Sequence, residues 1–149
     1  MLINISSKFL KSTFFFSQEG YLEIVKLLVN KGADVNVKTV NSIVKKRGKN
    51  YGDTALIWAS INGFDKVVKF LLERNANPNI QNDGGNTALI FAANEGHKKV
   101  VKILLDNDVE VETKTKNGDT ALSKATEKGH KEIVKMLEDK IKKIYEKTG

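Results

Sequence analysis

The chain has 149 residues, of which 40% are hydrophobic and 29% charged, a size and balance that fit one folded domain or one short repeat array. It contains no cysteine, which excludes disulfides, thiolate metal sites and a cysteine nucleophile. The net charge is +7, and no stretch approaches the ~18 consecutive apolar residues of a transmembrane helix, so we expect no membrane contact.

The first twenty residues do not form a clear targeting segment. A signal peptide needs an apolar run of roughly 7–15 residues, and Ser12, Thr13 and Ser17 interrupt the apolar residues around Phe14 to Phe16. We therefore do not expect secretion by this route, and the absence of cysteine fits a cytoplasmic, intracellular protein.

Glycines open a recurring segment along the chain. Gly63, Gly96 and Gly129 begin GFDKVVKFLL, GHKKVVKILL and GHKEIVKMLE and lie 33 residues apart, whereas Gly20 begins a related segment 43 residues before Gly63. We predict that Gly63, Gly96 and Gly129 turn the chain at positive φ.

A second motif precedes three of these segments with the same period. GDTALIWAS, GNTALIFAA and GDTALSKAT place Thr54, Thr87 and Thr120 at intervals of 33 residues. Each threonine is expected to N-cap a short helix, whose buried face carries pairs such as Leu56 and Ala59.

The segment after each turn glycine predicts a second helix. Its apolar stripe in the second copy is Val67, Val68, Leu71 and Leu72. Gly32, Asn75 and Asp108 lie at equivalent positions after this helix, and these residue types favour a left-handed helix stop.

These motifs resemble the ankyrin-repeat family. The similarity extends from about Ser7 to the C-terminus and rests on the 33-residue period and on four motifs. The motifs are G-x-T-A-L, A-A-x-x-G-H, V-V-K-x-L-L and A-D-V-N. Ala55 replaces the family's usual proline and Ile57 its usual histidine. The resemblance implies an all-α ankyrin-repeat solenoid of about four repeats, joined by β-turn fingers.

We predict a single domain over the whole chain. Its parts are an irregular first repeat (7–39), a basic inserted loop (40–49), repeat 2 (50–82), repeat 3 (83–115) and a C-terminal capping repeat (116–149). The first repeat is either a terminal cap or the remnant of a longer array. The last one has Lys124 where Trp58 and Phe91 stand in earlier repeats, and Ile141 and Ile144 extend its apolar stripe.

No catalytic or metal-binding pattern is present. His97 and His130 match the family's structural Gly-His pair, and no cluster of ligands has the spacing of a metal site. The G-x-S-x-G, G-x-G-x-x-G and P-loop patterns are also absent. We expect neither enzymatic activity nor a cofactor.

The resemblance implies a non-catalytic module that binds an unidentified protein partner through its concave face and finger tips. Carried over by position, the binding residues are Tyr51, Asp53, Trp58, Ile61, Asn62, Asn86, Phe91, Asn94, Glu95, Asp119, Glu127 and Lys128. A fragment or spacer of a larger ankyrin array is the alternative. We expect a monomer.

Several of these residues have two interpretations. Tyr51, Trp58, Ile61 and Phe91 could form an exposed apolar hot spot, but an aromatic at this helix position is also typical of plain packing between inner helices. Asn36 lies where hydroxylated asparagines occur in animal relatives, although a turn asparagine that bonds nearby backbone is the simpler interpretation.

The inserted loop concentrates positive charge. Its basic residues are Lys45, Lys46, Arg47 and Lys49. They allow a third function, a tether to acidic polymers or nucleic acid. No aromatic residue lies among them to stack on bases, so direct nucleic-acid binding is not favoured.

Overall fold

The computed structural model describes residues 22–39 and 52–148. Over these residues the chain forms seven α-helices and no strand, which confirms the all-α prediction. The helices are α1 (Leu22–Asn30), α2 (Ala55–Ile61), α3 (Asp65–Glu73), α4 (Ala88–Glu95), α5 (Lys98–Leu105), α6 (Ala121–Glu127) and α7 (Lys131–Thr148). Within the described ranges, no helix is long and apolar enough to cross a membrane.

Two layers of helices build the stack. The inner helices α2, α4 and α6 pack on one another in chain order, and so do the outer helices α1, α3, α5 and α7. Each inner helix also packs on the outer helix that follows it. The core lies between the layers and includes the fully buried Leu56, Leu71, Leu89, Leu104 and Leu137.

The inner helices begin at the predicted threonines. Thr54, Thr87 and Thr120 have extended backbones, and each hydroxyl oxygen accepts a hydrogen bond from the amide three residues on, at 3.2–3.3 Å. This satisfies one of the free N–H groups at each helix start. The threonine N-caps are therefore confirmed.

Left-handed residues end most of the helices as predicted. Gly63, Gly96 and Gly129 have φ of 70°, 78° and 75°, and Gly32 and Asn75 have φ of 90° and 63°.

The predicted left-handed stop at Asp108 is wrong. Asn75 is the only non-glycine with positive φ in the described ranges. After α5, the Asn107 side-chain amide donates to the Ile103 carbonyl at 2.7 Å, and the Val109 N–H donates to the Asn107 carbonyl at 2.7 Å. A side chain thus occupies a free carbonyl of the last turn, a role that a left-handed backbone otherwise fills.

Helix α7 runs for 18 residues, whereas the outer helices α1, α3 and α5 have eight or nine. The Lys140 ammonium donates to the Leu105 carbonyl at 2.6 Å and thereby caps the end of α5. Ile141 still packs against the core, but Ile144 is 37% exposed. The apolar stripe of α7 therefore loses contact with the stack between these two isoleucines.

A short turn, which we call a finger, precedes each inner helix. The α4 finger (residues 82–86) is closed by the Asn82 N–H donating to the Asn86 carbonyl at 2.9 Å, and the α6 finger (residues 115–119) by the equivalent bond at 2.8 Å. Before α2, the Thr39 N–H donates to the Asp53 carbonyl at 3.0 Å, and we call the described residues Thr39, Gly52 and Asp53 the α2 finger. The inserted residues 40–49 lie between Thr39 and Gly52 in the sequence.

Candidate protein-binding surface

The inner face consists of the outward positions of the inner helices and the fingers beside them. Most residues that the sequence suggested for binding are at least partly accessible there. Glu95, Glu127 and Lys128 are exposed, and Trp58, Ile61, Asn62, Asn86, Phe91, Asn94 and Asp119 are half-buried. Tyr51 and the basic residues of the insertion lie outside the described residues.

The apolar part of the inner face lies on α2 and α4. Trp58 and Phe91 occupy equivalent positions on these stacked helices, and Phe91 and Ile61 pack against the core with part of their surface still accessible. The indole nitrogen of Trp58 is turned inward and buried. These side chains therefore combine a packing role with a remaining accessible surface, as residues at binding interfaces often do.

The same face becomes polar in the last repeat. Lys124 replaces the aromatic residue there, and its ammonium lies 3.1 Å from Asp119 and 3.2 Å from Glu127. Its hydrogen bonds, first to Asp119 and then to Glu127, raise the pKa of Lys124. The surface thus changes along the stack from apolar at α2 and α4 to a network of opposite charges at α6.

Among the proposed binding residues that the structure describes, Asp53 is the one that the fold encloses completely. Its Oδ1 accepts a hydrogen bond from the Asn82 side-chain amide at 2.7 Å, so it joins the α2 and α4 fingers. The pKa of the Asp53 carboxyl is raised to about 6, and burial is the largest cause. The Asn82 hydrogen bond lowers the pKa, and the charge of Asp83 raises it. A side chain buried in this way cannot contact a partner directly, so the surface proposed below leaves Asp53 out.

The two histidines hold successive repeats together. His97 Nε2–H donates to the Ile61 carbonyl at 2.8 Å, and His130 Nε2–H donates to the Asn94 carbonyl at 3.0 Å. Each ring thus caps the end of the inner helix before it. The described residues contain no group of three or more His, Asp or Glu side chains that could hold a metal ion.

Two asparagines, Asn36 and Asn79, also bridge successive repeats. The Asn36 side chain donates to the Asn75 carbonyl at 3.2 Å and accepts from the Asn77 N–H at 2.7 Å. Asn79 makes the equivalent pair with Asp108 and Glu110, at 3.0 and 2.8 Å. The Asn36 side chain thus bonds backbone of the next repeat and not the nearby backbone expected from the sequence. The recurrence of asparagine at this repeat position was the signal that could have revealed the bridge.

Comparison with known families supports this architecture. A family model described as "Ankyrin repeats (3 copies)" matches residues 11–82 and 66–147. Together the two matches cover most of the chain, including every helix from α1 to α6 and nearly all of α7.

One curated protein is similar to part of the chain. It is the "Ankyrin repeat and KH domain-containing protein mask" of Drosophila melanogaster, with 39% identity over 66 residues. The matched stretch covers 44% of this chain and 1% of that protein. The similarity is therefore confined to a very small part of a much longer protein.

Proposed function

Because the chain belongs to the ankyrin-repeat family, whose repeats are generally protein–protein interaction modules, we propose that it binds a protein partner across its inner face. Binding is non-catalytic, and the protein works inside the cell. The contact surface runs from Trp58 and Ile61 on α2, over Phe91 and Glu95 on α4, to Glu127 on α6.

The observation that carries this proposal is the pair of aromatic side chains on the inner face. Trp58 and Phe91 recur at one repeat position, and neither is fully buried. In the next repeat the same position is Lys124, which is held by Asp119 and Glu127. A partner with an apolar residue over α2 and α4 and polar groups over α6 would complement this surface.

A spacer role within a larger ankyrin array is the second candidate. It is favoured by the relative named above, of which the matched stretch forms only 1%. A spacer would need the stack itself but no particular inner face. The tether through Lys45, Lys46 and Arg47 stays a prediction from the sequence.

Charge changes on opposite faces separate these functions. Glu95 and Glu127 are exposed on the inner face, and Lys102 and Lys135 are exposed on the outer helices. Affinity capture of binding proteins is carried out with the wild-type chain and with three variants. The inner-face variant combines Glu95→Lys and Glu127→Lys, and the outer-face variant combines Lys102→Glu and Lys135→Glu. In the loop variant, Lys45, Lys46 and Arg47 are changed to alanine.

The inner-face variant is expected to lose a captured protein that the outer-face and loop variants keep. Loss in the loop variant alone would favour the tether. Equal capture by all four proteins, or loss only in the outer-face variant, would contradict binding through the inner face. Circular dichroism of each variant checks that a lost interaction does not reflect a lost fold.

A further inference from the structure

The contact between the α2 and α4 fingers depends on one side chain at the centre of a small hydrogen-bond network. The Asn82 side-chain Oδ1 accepts from the backbone N–H groups of Gly84 and Asn86, both at 2.9 Å, and so shapes the α4 finger. The Asn82 amide nitrogen donates to Asp53 Oδ1 at 2.7 Å. The residue that shapes one finger is thus bonded directly to the carboxyl of the finger before it.

The other half of the Asp53 carboxyl is enclosed and receives no hydrogen bond from the described residues. Asp53 Oδ2 is buried without a donor among residues 22–39 and 52–148, and the whole residue is inaccessible to solvent. Asp83 is the one charged group of the described residues that acts on this carboxyl, and it has the same sign. Its carboxylate lies close to the backbone beside Asp53, because a Cβ placed on Gly52 would be 2.8 Å from Asp83 Oδ1.

The equivalent positions in the later repeats avoid this arrangement. Position 86 is an asparagine, which carries no charge, and Asp119 is 3.1 Å from the Lys124 ammonium with its side chain 31% accessible. The α2 finger therefore has the only carboxyl at this position, among the described repeats, that is both buried and without a cationic partner. A buried carboxylate with an unsatisfied oxygen is costly, whereas the neutral acid is much less so.

We propose that Asp53 makes the contact between the α2 and α4 fingers, which its hydrogen bond with Asn82 forms, sensitive to pH. The contact is stable when the Asp53 carboxyl is protonated and opens more readily when the carboxyl ionises. The proton resides on Oδ2, because Oδ1 already accepts from Asn82. In the open state the carboxylate regains water, which the closed state denies it. The device is local, because no other carboxyl at this repeat position is enclosed in the described part of the chain.

The direction follows from the two protonation equilibria. The pKa of Asp53 is about 6 in the folded chain and 3.8 for an unperturbed aspartate. The folded state therefore binds the proton more tightly than the unfolded chain does. The stability that this proton contributes to the folded state is complete below pH 3.8 and is lost as the pH rises through about 6. Between pH 5 and pH 8 the equilibrium constant for opening should rise about tenfold from this group alone.

Amide hydrogen exchange on the full chain tests the proposal with a control inside the same molecule. The probes are the Asn82 and Gly85 amides, which close the α4 finger, and the Thr115 and Gly118 amides at the equivalent places of the α6 finger. Protection factors are corrected for intrinsic exchange and compared at pH 5, 6, 7 and 8. Asp53→Asn removes the titrating group, and Asp119→Asn is the matched control at the equivalent position.

In the wild type, protection of the α4 finger is expected to fall about tenfold more than that of the α6 finger between pH 5 and pH 8. Asp53→Asn should abolish this difference and Asp119→Asn should keep it. Parallel behaviour of the two wild-type fingers would overturn the proposal, even if Asp53→Asn did not fold. A difference that persists in folded Asp53→Asn would overturn it as well.

Discussion

Gly96 is held by two separate constraints at the end of α4. Its φ of 78° lies in the left-handed region that side chains disfavour. In addition, a Cβ at this position would be 2.6 Å from the His130 ring, which caps the same helix from the next repeat. The sequence predicted the positive φ, but the close approach of the ring depends on stacking and could not be read from one repeat.

The two constraints can be separated by matched substitutions. Gly129 has φ of 75° but open space around its Cβ direction. Gly129→Val should therefore lose about 1–3 kcal/mol of unfolding free energy through backbone strain, and Gly96→Val should lose more because His130 must also move. Asn94→Ala, at a partly exposed position, should change it by less than about 0.5 kcal/mol. Urea denaturation measures all three, and equal losses for Gly96→Val and Asn94→Ala would contradict this explanation.

Trp58 is the residue on which the packing and binding interpretations differ. Since the side chain is only half-buried, Trp58→Ala should destabilise the fold by less than the roughly 3–5 kcal/mol of a fully buried aromatic. We expect affinity for the partner to fall by at least about 2 kcal/mol. Leu89→Ala, at a fully buried core position, is the comparison for stability alone.

Thermal melts and a binding titration distinguish the outcomes for Trp58. A stability loss as large as that of Leu89→Ala would make Trp58 a packing residue. Ile61 and Tyr51 would then become the better candidates for the hot spot.

At the scale of the helices, α7 shows where the stack stops contributing to stability. Ile141 packs against the core, whereas Ile144, one turn later, is exposed. Ile141→Ser should therefore cost roughly 1–3 kcal/mol, and Ile144→Ser less than about 1 kcal/mol. The two changes alter helix propensity equally, so the difference in urea denaturation reports packing. Similar losses would mean that the end of α7 is supported along its whole length.

The helix boundaries show what sequence patterns predict well. Thr54, Thr87 and Thr120 were predictable as N-caps because the cap depends on residues within one turn of the helix. The backbone conformation at Asp108 was not predictable, because the Asn107 side chain bonds a free carbonyl at the end of α5 and a left-handed residue is not needed there. The bridges of Asn36 and Asn79 join segments about forty and thirty residues away along the chain, so they follow from stacking and not from local pattern.

For the whole molecule, the period of the motifs was sufficient to predict a helical stack, because each repeat buries its apolar face only against its neighbours. Repeat position also predicted which of the described residues proposed for binding are at least partly accessible, apart from Asp53. It did not predict the burial of Asp53, because that burial depends on the Asn82 amide from the next finger. The repeat boundaries and the role of the insertion stay predictions.

Deleting residues 40–49 tests how the insertion relates to the stack. The deletion would leave Thr39 and Asp53 as far apart in sequence as Asn82 and Asn86, whose backbone bond closes the α4 finger. Shortening the loop should stabilise the fold by roughly 1 kcal/mol or leave it unchanged, since closure entropy depends weakly on length. Loss of cooperative thermal unfolding would mean that the insertion packs into the stack.

Binding through the inner face is tested most directly by photo-crosslinking. A photoreactive amino acid is placed at Glu95, exposed on the inner side, or at Lys102, exposed on an outer helix, and each protein is irradiated with the partner obtained by affinity capture. We predict a crosslinked product from position 95 that Trp58→Ala weakens, and none from position 102. Crosslinking from position 102 alone would contradict binding through the inner face.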